Sequence, residues 1–362
     1  MHCDTPGRML SEGLKLGERH EYTQVDIAGM REGGVDASFF AVFASATNNT
    51  PLESVKAGFE ILDMIVEEVG RYPDDLALAT TADEVLRAKQ EGKIAILLSV
   101  EGGHMIDSSL AVLRDFRRLG ARSMTLTHSA PTAWASAAES DEGPDGLTDF
   151  GKDVVREMNR LGMLVDLSHG ADKSFWDAIE TSKAPIITSH SCCRAVASHP
   201  RNMDDDMLQA LAKNGGVIHL AYYAAMLDDD YRARLGEIAD IGAKRSKARS
   251  ELAGNKEELS AALWQLNLEE VERIGQVPLS RLIDHFEHAA TVAGVDHVGF
   301  GSDLDSVRLF VPQGLERIQD TPNLAAGLRE RGFSEEDTAK MMGGNTFRVL
   351  QEAEQVAAEL SG

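Results

Sequence analysis

Imidazole and carboxylate side chains stand where short apolar runs of this chain end, and these are the residue types that bind divalent cations or move protons. Glu101 follows the run at 94–100, His128 the run at 123–127, His169 the run at 164–168, His190 the run at 186–189, and Asp303 the run at 297–301. Near the start, His2-Cys3-Asp4 forms an H-x-D pair whose alternate residues would face one side of an extended strand. Imidazole nitrogen mixed with carboxylate oxygen suits zinc, and His2, Asp4, Glu101, His169 and His190 make up such a donor set. One shared carboxylate can bridge two ions roughly 3.5–4 Å apart, and Glu101 is the candidate bridge. Gly102 and Gly103 after it let the backbone turn sharply. Each histidine alone would more often be a hydrogen-bonded structural residue; the joint placement at strand ends carries the inference.

The elements that must position these residues are short β-branched or apolar runs alternating with amphipathic stretches. The runs at 37–44, 94–100, 123–127, 164–167, 186–189, 217–221 and 297–301 give seven predicted strands. Leu52, Val55, Phe59, Leu62, Val66 and Val69 share one helix face between two of them, as do Val154, Val155, Met158 and Leu161. Repeated strand and helix units predict an α/β fold, a (β/α)8 TIM-type barrel, in which the C-terminal ends of all strands meet at one mouth. The first strand is expected to be missing or truncated, because His2 stands almost at the start. Residues 228–277 read as a charged helical excursion after strand 7 of the barrel, the run at 217–221 once the first strand is counted, serving as a rim or lid, or equally as a decoration or an oligomer contact, so a homo-oligomer stays open. Residues 1–362 are expected to form one catalytic domain with this insertion.

The 43% apolar fraction supplies a large core without disulfides. With 36 basic against 59 acidic residues, the formal charge of -23 disfavours nucleic acid and anionic lipid as partners. Cys3, Cys192 and Cys193 include an adjacent pair, which builds no ordinary disulfide framework and fits a reducing compartment. There is no long apolar run and no leader pattern, so the expectation is a cytoplasmic protein without a membrane partner.

An ordered series of motifs then adds to this reading. HCDTP at 2–6, REGGVDASFFAVF at 31–43, SVEGGH at 99–104, LTHSAPTAWA at 126–135, the stretch ending MLVDLSH at 169, ITSHSCCRAVASHPRN at 187–202, VDHVGFGSDLD at 295–305 and GGNTFRVL at 343–350 resemble the membrane (renal) dipeptidase family of zinc metallopeptidases. The resemblance implies two zinc ions per chain, with His2 and Asp4 on one, His169 and His190 on the other, and Glu101 between them. It implies a metal-bridging hydroxide that cleaves small dipeptides, including the L-Xaa-D-Xaa form. Asp303 matches the family's proton-transfer aspartate, His128 the histidine that polarises the scissile group, and Arg201 the arginine that holds substrate.

Tyr223, with Tyr222 and Trp134, is a candidate for the substrate pocket, although aromatic residues near strand ends are as often core. His219 within its strand reads as a satisfied core histidine, and His104 is open. Two other functions compete: another binuclear amidohydrolase acting on small amides or lactams, and a non-catalytic binding protein on the same barrel. The H-x-D opening and the glutamate bridge argue against the first, and the full ligand set argues against the second.

Overall fold

The computed structural model describes residues 2–362. Its strands are β1 (His2–Cys3), β2 (Ala37–Val42), β3 (Leu76–Leu78), β4 (Ile94–Glu101), β5 (Ala121–Thr125), β6 (Leu164–Asp166), β7 (Ile186–Ser191), β8 (Val217–Ala221) and β9 (Val298–Leu304). All pairings are parallel, and β1 lies between β2 and β9 while β2 also pairs with β4, so eight strands close into a barrel. The remaining strand, β3, runs beside the start of β4 until β5 takes over that edge from Leu98 onward. Every residue of β4 is buried, as expected for a parallel strand packed on both faces.

Helices coat this barrel, and their ends follow local chemistry. Helix Pro51–Arg71 opens with a capping box in which Thr50 and Glu53 satisfy each other's backbone N–H groups, and its residues Ile61, Leu62, Ile65 and Val69 are buried. Helix Asp149–Leu161 is capped by Thr148 and stops at Gly162, whose φ of 64° is the left-handed conformation that glycine adopts freely.

One strand escaped the sequence reading, and the first was expected only as missing or truncated. Leu76–Leu78 has only three residues and follows Pro73-Asp74-Asp75, a turn-like run, while His2–Cys3 is too short for any periodicity to register. The first strand is therefore present among the described residues, as His2–Cys3. β5 begins at Ala121, two residues earlier than predicted, because buried Arg122 interrupts its apolar pattern. β9 runs past Gly301 to Leu304, so Asp303 lies within the strand; Ser302 and Asp303 have φ of 63° and 72° there, and the register against β1 shifts.

The excursion is helical, comprising Asp229–Arg234, Ala239–Glu251 and Lys256–Ile274. Its Glu270 accepts from Arg308 at 2.9 Å and also pairs with Arg245, while Ser260 donates to Glu12 at 2.9 Å. These contacts brace the loop after β9 and the helix Thr5–Glu12 that follows β1. Both elements lead directly from residues at the barrel mouth.

Candidate metal centre

The mouth gathers residues from six strand ends. His2 and Asp4 come from β1 and the residue after it, Glu101 ends β4, His128 and His169 lie just beyond β5 and β6, His190 is in β7, and Asp303 is in β9. Glu101 occupies the middle. Its Oε2 is 3.5 Å from His2 Nε2, and its Oε1 is 3.5 Å from His169 Nε2, 3.6 Å from His190 Nε2 and 3.7 Å from His128 Nε2. His2 Nε2 is also 3.6 Å from Asp4 and 4.0 Å from Asp303. Three ligand triads result, His2–Asp4–Glu101, Glu101–His169–His190 and His2–His190–Asp303, each with its donor atoms within 4.8 Å of one another.

Local backbone chemistry makes this convergence achievable. A side chain at Gly102, which has φ of 125°, would collide with the His104 ring, and one at Gly103 would meet the Leu126 carbonyl and Trp134. The chain can therefore fold tightly behind Glu101 only with glycine at both positions. His169 and Asp303 have φ of 67° and 72°, strain of about 1–3 kcal/mol each of the kind that collects at functional sites.

The electrostatics favour a bound cation. Burial, then the neighbouring Asp4 charge, pushes Glu101 up to about 7 and Asp303 well above the usual carboxylate range. Burial works against a charge on His2, but Glu101 and Asp4 outweigh it and hold this imidazole above its ordinary value. Burial, followed by the Arg201 charge at His169 and His128 and by the His2 charge at His190, keeps His169 and His190 well below their ordinary value and His128 at about 4, so these rings are neutral and have lone pairs to give. Both His2 ring nitrogens, Asp4 Oδ2, His169 Nδ1 and Asp303 Oδ1 are buried without a hydrogen-bond partner. Each such group costs about 1–3 kcal/mol unless something satisfies it. This buried set of nitrogen and carboxylate donors fits divalent metal ions.

Arg201 lies on the loop after β7, where its carbonyl accepts from Ser191 at 2.8 Å and its backbone N–H donates to His199. Its Nη2 is 3.4 Å from the His190 carbonyl, and its Nε is buried without a partner. The acidic run at 204–206 is engaged elsewhere: Asp204 caps the helix Asp205–Lys213 and faces Arg194, and Asp205 accepts from His288. Tyr223 is half-buried after β8, and its phenol is raised by burial against the pull of Arg308, with Arg201 and Asp303 among the charges that act on it.

Other sequence candidates fall away from the cluster. Trp134 packs against Gly103 in the core, and Tyr222 is buried under the charge of Asp320. His104 bonds the Ala44 carbonyl, and His219 is satisfied between the Thr188 carbonyl and the Thr346 hydroxyl. Phe43, at 4.4 Å from the His128 ring, was not singled out in the sequence, nor were Asp166 and Ser189 behind His190. A cavity of about 600 Å³ around Ala37, Phe39 and Phe347 lies at the start of the strands and includes none of the cluster.

A parallel barrel whose mouth holds buried carboxylates and neutral imidazoles is the architecture of a metal-dependent hydrolase. The chain belongs to the membrane dipeptidase family, Peptidase family M19, which it matches along residues 1–362. It is 35% identical over 352 residues to an uncharacterized dipeptidase of Schizosaccharomyces pombe, covering 94% of this chain and 74% of that protein. To Dipeptidase 3 of Rattus norvegicus it is 33% identical over 350 residues, 95% of this chain and 62% of the rat protein. Among solved structures, the M19 metallopeptidase dipeptidase AC has the same fold, with a TM-score of 0.79 at 24% identity over 97% of both chains. So does a Rhodobacter sphaeroides metallopeptidase liganded with a phosphinate mimic of the dipeptide L-Ala-D-Ala, with a TM-score of 0.78 at 24% identity and the same coverage. The chain is thus a dipeptidase-family metallohydrolase. Despite the family's name, no helix among the described residues is long and apolar enough to cross a membrane.

Proposed function

We propose that this chain is a binuclear zinc dipeptidase. His2 and Asp4 hold one zinc ion, His169 and His190 hold the other, and Glu101 bridges them. The observation that carries this reading is Glu101, whose two carboxylate oxygens face different histidines, His2 on one side and His169 and His190 on the other. Bound there, a pair of zinc ions would activate water and polarise the scissile carbonyl.

The remaining work falls to this chain's own side chains. Arg201 offers a planar fork to the C-terminal carboxylate of a dipeptide, and Tyr223 lines the same space. Neutral His128 donates a hydrogen bond to the scissile group, and Asp303 carries the proton that the leaving nitrogen needs. The substrates are small dipeptides with a free C-terminus, L-Xaa-D-Xaa among them, and the cytoplasm is the location we assign. A screen of L-L, L-D and D-L dipeptides with added zinc tests the class; hydrolysis of lactams or other amides with no dipeptide cleaved would replace it with another amidohydrolase activity.

Three outcomes follow. Chelation abolishes activity and zinc restores it, and titration of the metal-free chain reaches two ions; a ratio that never passes one under saturating zinc refutes the pair. In the metal-free chain, Glu101 near 7 and His2 above its ordinary value hold protons around neutrality, and zinc must displace them. Zinc affinity therefore rises with pH and falls as pH drops through about 7, which competition titrations across pH 5.5–8.5 would measure. For substrate, Arg201→Lys keeps the charge but loses the two-pronged contact. Hydrogen bonds to charged groups contribute about 1.5–3 kcal/mol, so KM should rise roughly 10- to 100-fold with kcat less affected. Unchanged kinetics would remove Arg201 from the pocket.

A further inference from the structure

Behind the cluster, a chain of hydrogen bonds runs from Asp166 through Ser189 to His190. We propose that Asp166 and Ser189 are positioning residues that fix the tautomer of His190, so that its Nε2 lone pair faces the metal centre. This rests on the zinc reading above. Asp166 ends β6, is fully buried, and uses one oxygen, Oδ1, to accept from the backbone N–H groups of Ser168 at 3.0 Å and Ser189 at 2.9 Å. Its other oxygen, Oδ2, accepts the Ser189 hydroxyl. A hydroxyl has one proton to give. Ser189 Oγ has given it to Asp166, so toward His190 Nδ1, 2.8 Å away, it can only accept. The His190 proton is therefore on Nδ1, and Nε2 is left with its lone pair.

The opposite side of the ring accommodates this tautomer. His190 Nε2 is 2.9 Å from His169 Nε2, a contact in which one nitrogen donates and the other accepts. With Nδ1 protonated, His190 is the acceptor. The backbone is held as well, because the His190 N–H donates to Ser168 Oγ at 2.9 Å. His169 has no such support, since its Nδ1 is buried without a partner. Only one of these two imidazoles has its ligand form imposed by the protein.

The substitution that separates this role from a structural one is Asp166→Asn. The two backbone N–H groups require the amide oxygen at the Oδ1 position, which places the NH2 group against Ser189 Oγ. That hydroxyl must then accept from the amide and is free to donate toward His190 Nδ1, moving the imidazole proton to Nε2, where it blocks the metal. Outer-shell partners of metal-bound histidines are typically worth about 10- to 100-fold in affinity. Calorimetry with Zn2+ on the metal-free chain should show one of two sites weakened by that factor in Asp166→Asn and the other unchanged. Ser189→Ala, which removes the partner without reversing it, should weaken the same site less, and Ser189→Thr should restore it. Side-chain 15N spectra of the metal-free protein, with His190 assigned against His190→Gln, should find the proton on Nδ1 in the parent and on Nε2 in Asp166→Asn.

Equal zinc affinity in parent and Asp166→Asn, or an Nε2 proton on His190 in the parent, overturns the proposal. If the spectra show the tautomer change but the parent takes up no zinc, the relay exists and the zinc reading is the part that fails.

Discussion

With the proposed pair of zinc ions bound, Glu101→Gln is expected to reduce bound zinc from two ions per chain to at most one and to eliminate measurable turnover. The substitution keeps the volume and one oxygen of the side chain, so the buried strand β4 should stay folded around it. It replaces the other oxygen with an amide nitrogen, which has no lone pair available to a cation. In the native site the two oxygens serve different partners, at 3.5 Å from His2 on one side and 3.5 Å from His169 on the other. Whichever way the amide turns, one half of the cluster loses its shared ligand and the whole loses a negative charge. The loss of affinity should exceed the roughly 10- to 100-fold typical of an outer-shell partner. Metal content and kcat on one preparation decide the matter: two ions held at parent affinity would mean that Glu101 is not a bridge.

How much of this was legible beforehand depends on range. The barrel could be read because a strand such as Ile94–Glu101, buried along its whole length, leaves an unmistakable apolar run, and because helices between strands keep their own period. Leu76–Leu78 left too short a trace, and Arg122 disguised the start of β5. Residues of the site were legible by type, since a histidine or carboxylate ending an apolar run is conspicuous. The support behind them was not. Asp166 and Ser189 stand in plain view beside His169 and His190, but a buried aspartate and a serine are common, and only the fold shows that β6 and β7 lie side by side with Asp166 reaching across. The same holds for the excursion, whose charge pattern announced helices but not the pairing of Glu270 with Arg308 that ties it to the loop after β9.

Asp303→Asn should leave both of the proposed zinc ions in place while kcat falls roughly 10²- to 10⁴-fold, the usual worth of a general acid/base. Asp305 is the nearby carboxylate that could be mistaken for the proton carrier. Its Oδ2 accepts from Thr5 and its Oδ1 from Arg8, both at 2.8 Å, so it ties β9 to the first helix and has no oxygen free for chemistry. Asp303 instead faces the cluster with its Oδ1 buried without a hydrogen-bond partner, and although burial raises both carboxyl groups, the Asp4 charge adds to it at Asp303 whereas Arg8 opposes it at Asp305. A carboxyl group raised in this way holds a proton more readily than an ordinary aspartate and can release it to a leaving amine. Asparagine keeps the size and hydrogen-bonding reach but cannot cycle that proton, so binding and catalysis should separate. The competing assignment is also geometric, because Asp303 forms a triad with His2 and His190 and lies 4.0 Å from His2 Nε2. If Asp303 is a ligand, the Asn variant loses one zinc along with its activity. Zinc content and kcat measured together distinguish the two, and full activity with both ions bound would rule out either role and leave Asp303 a structural residue held in a strained conformation at φ 72°.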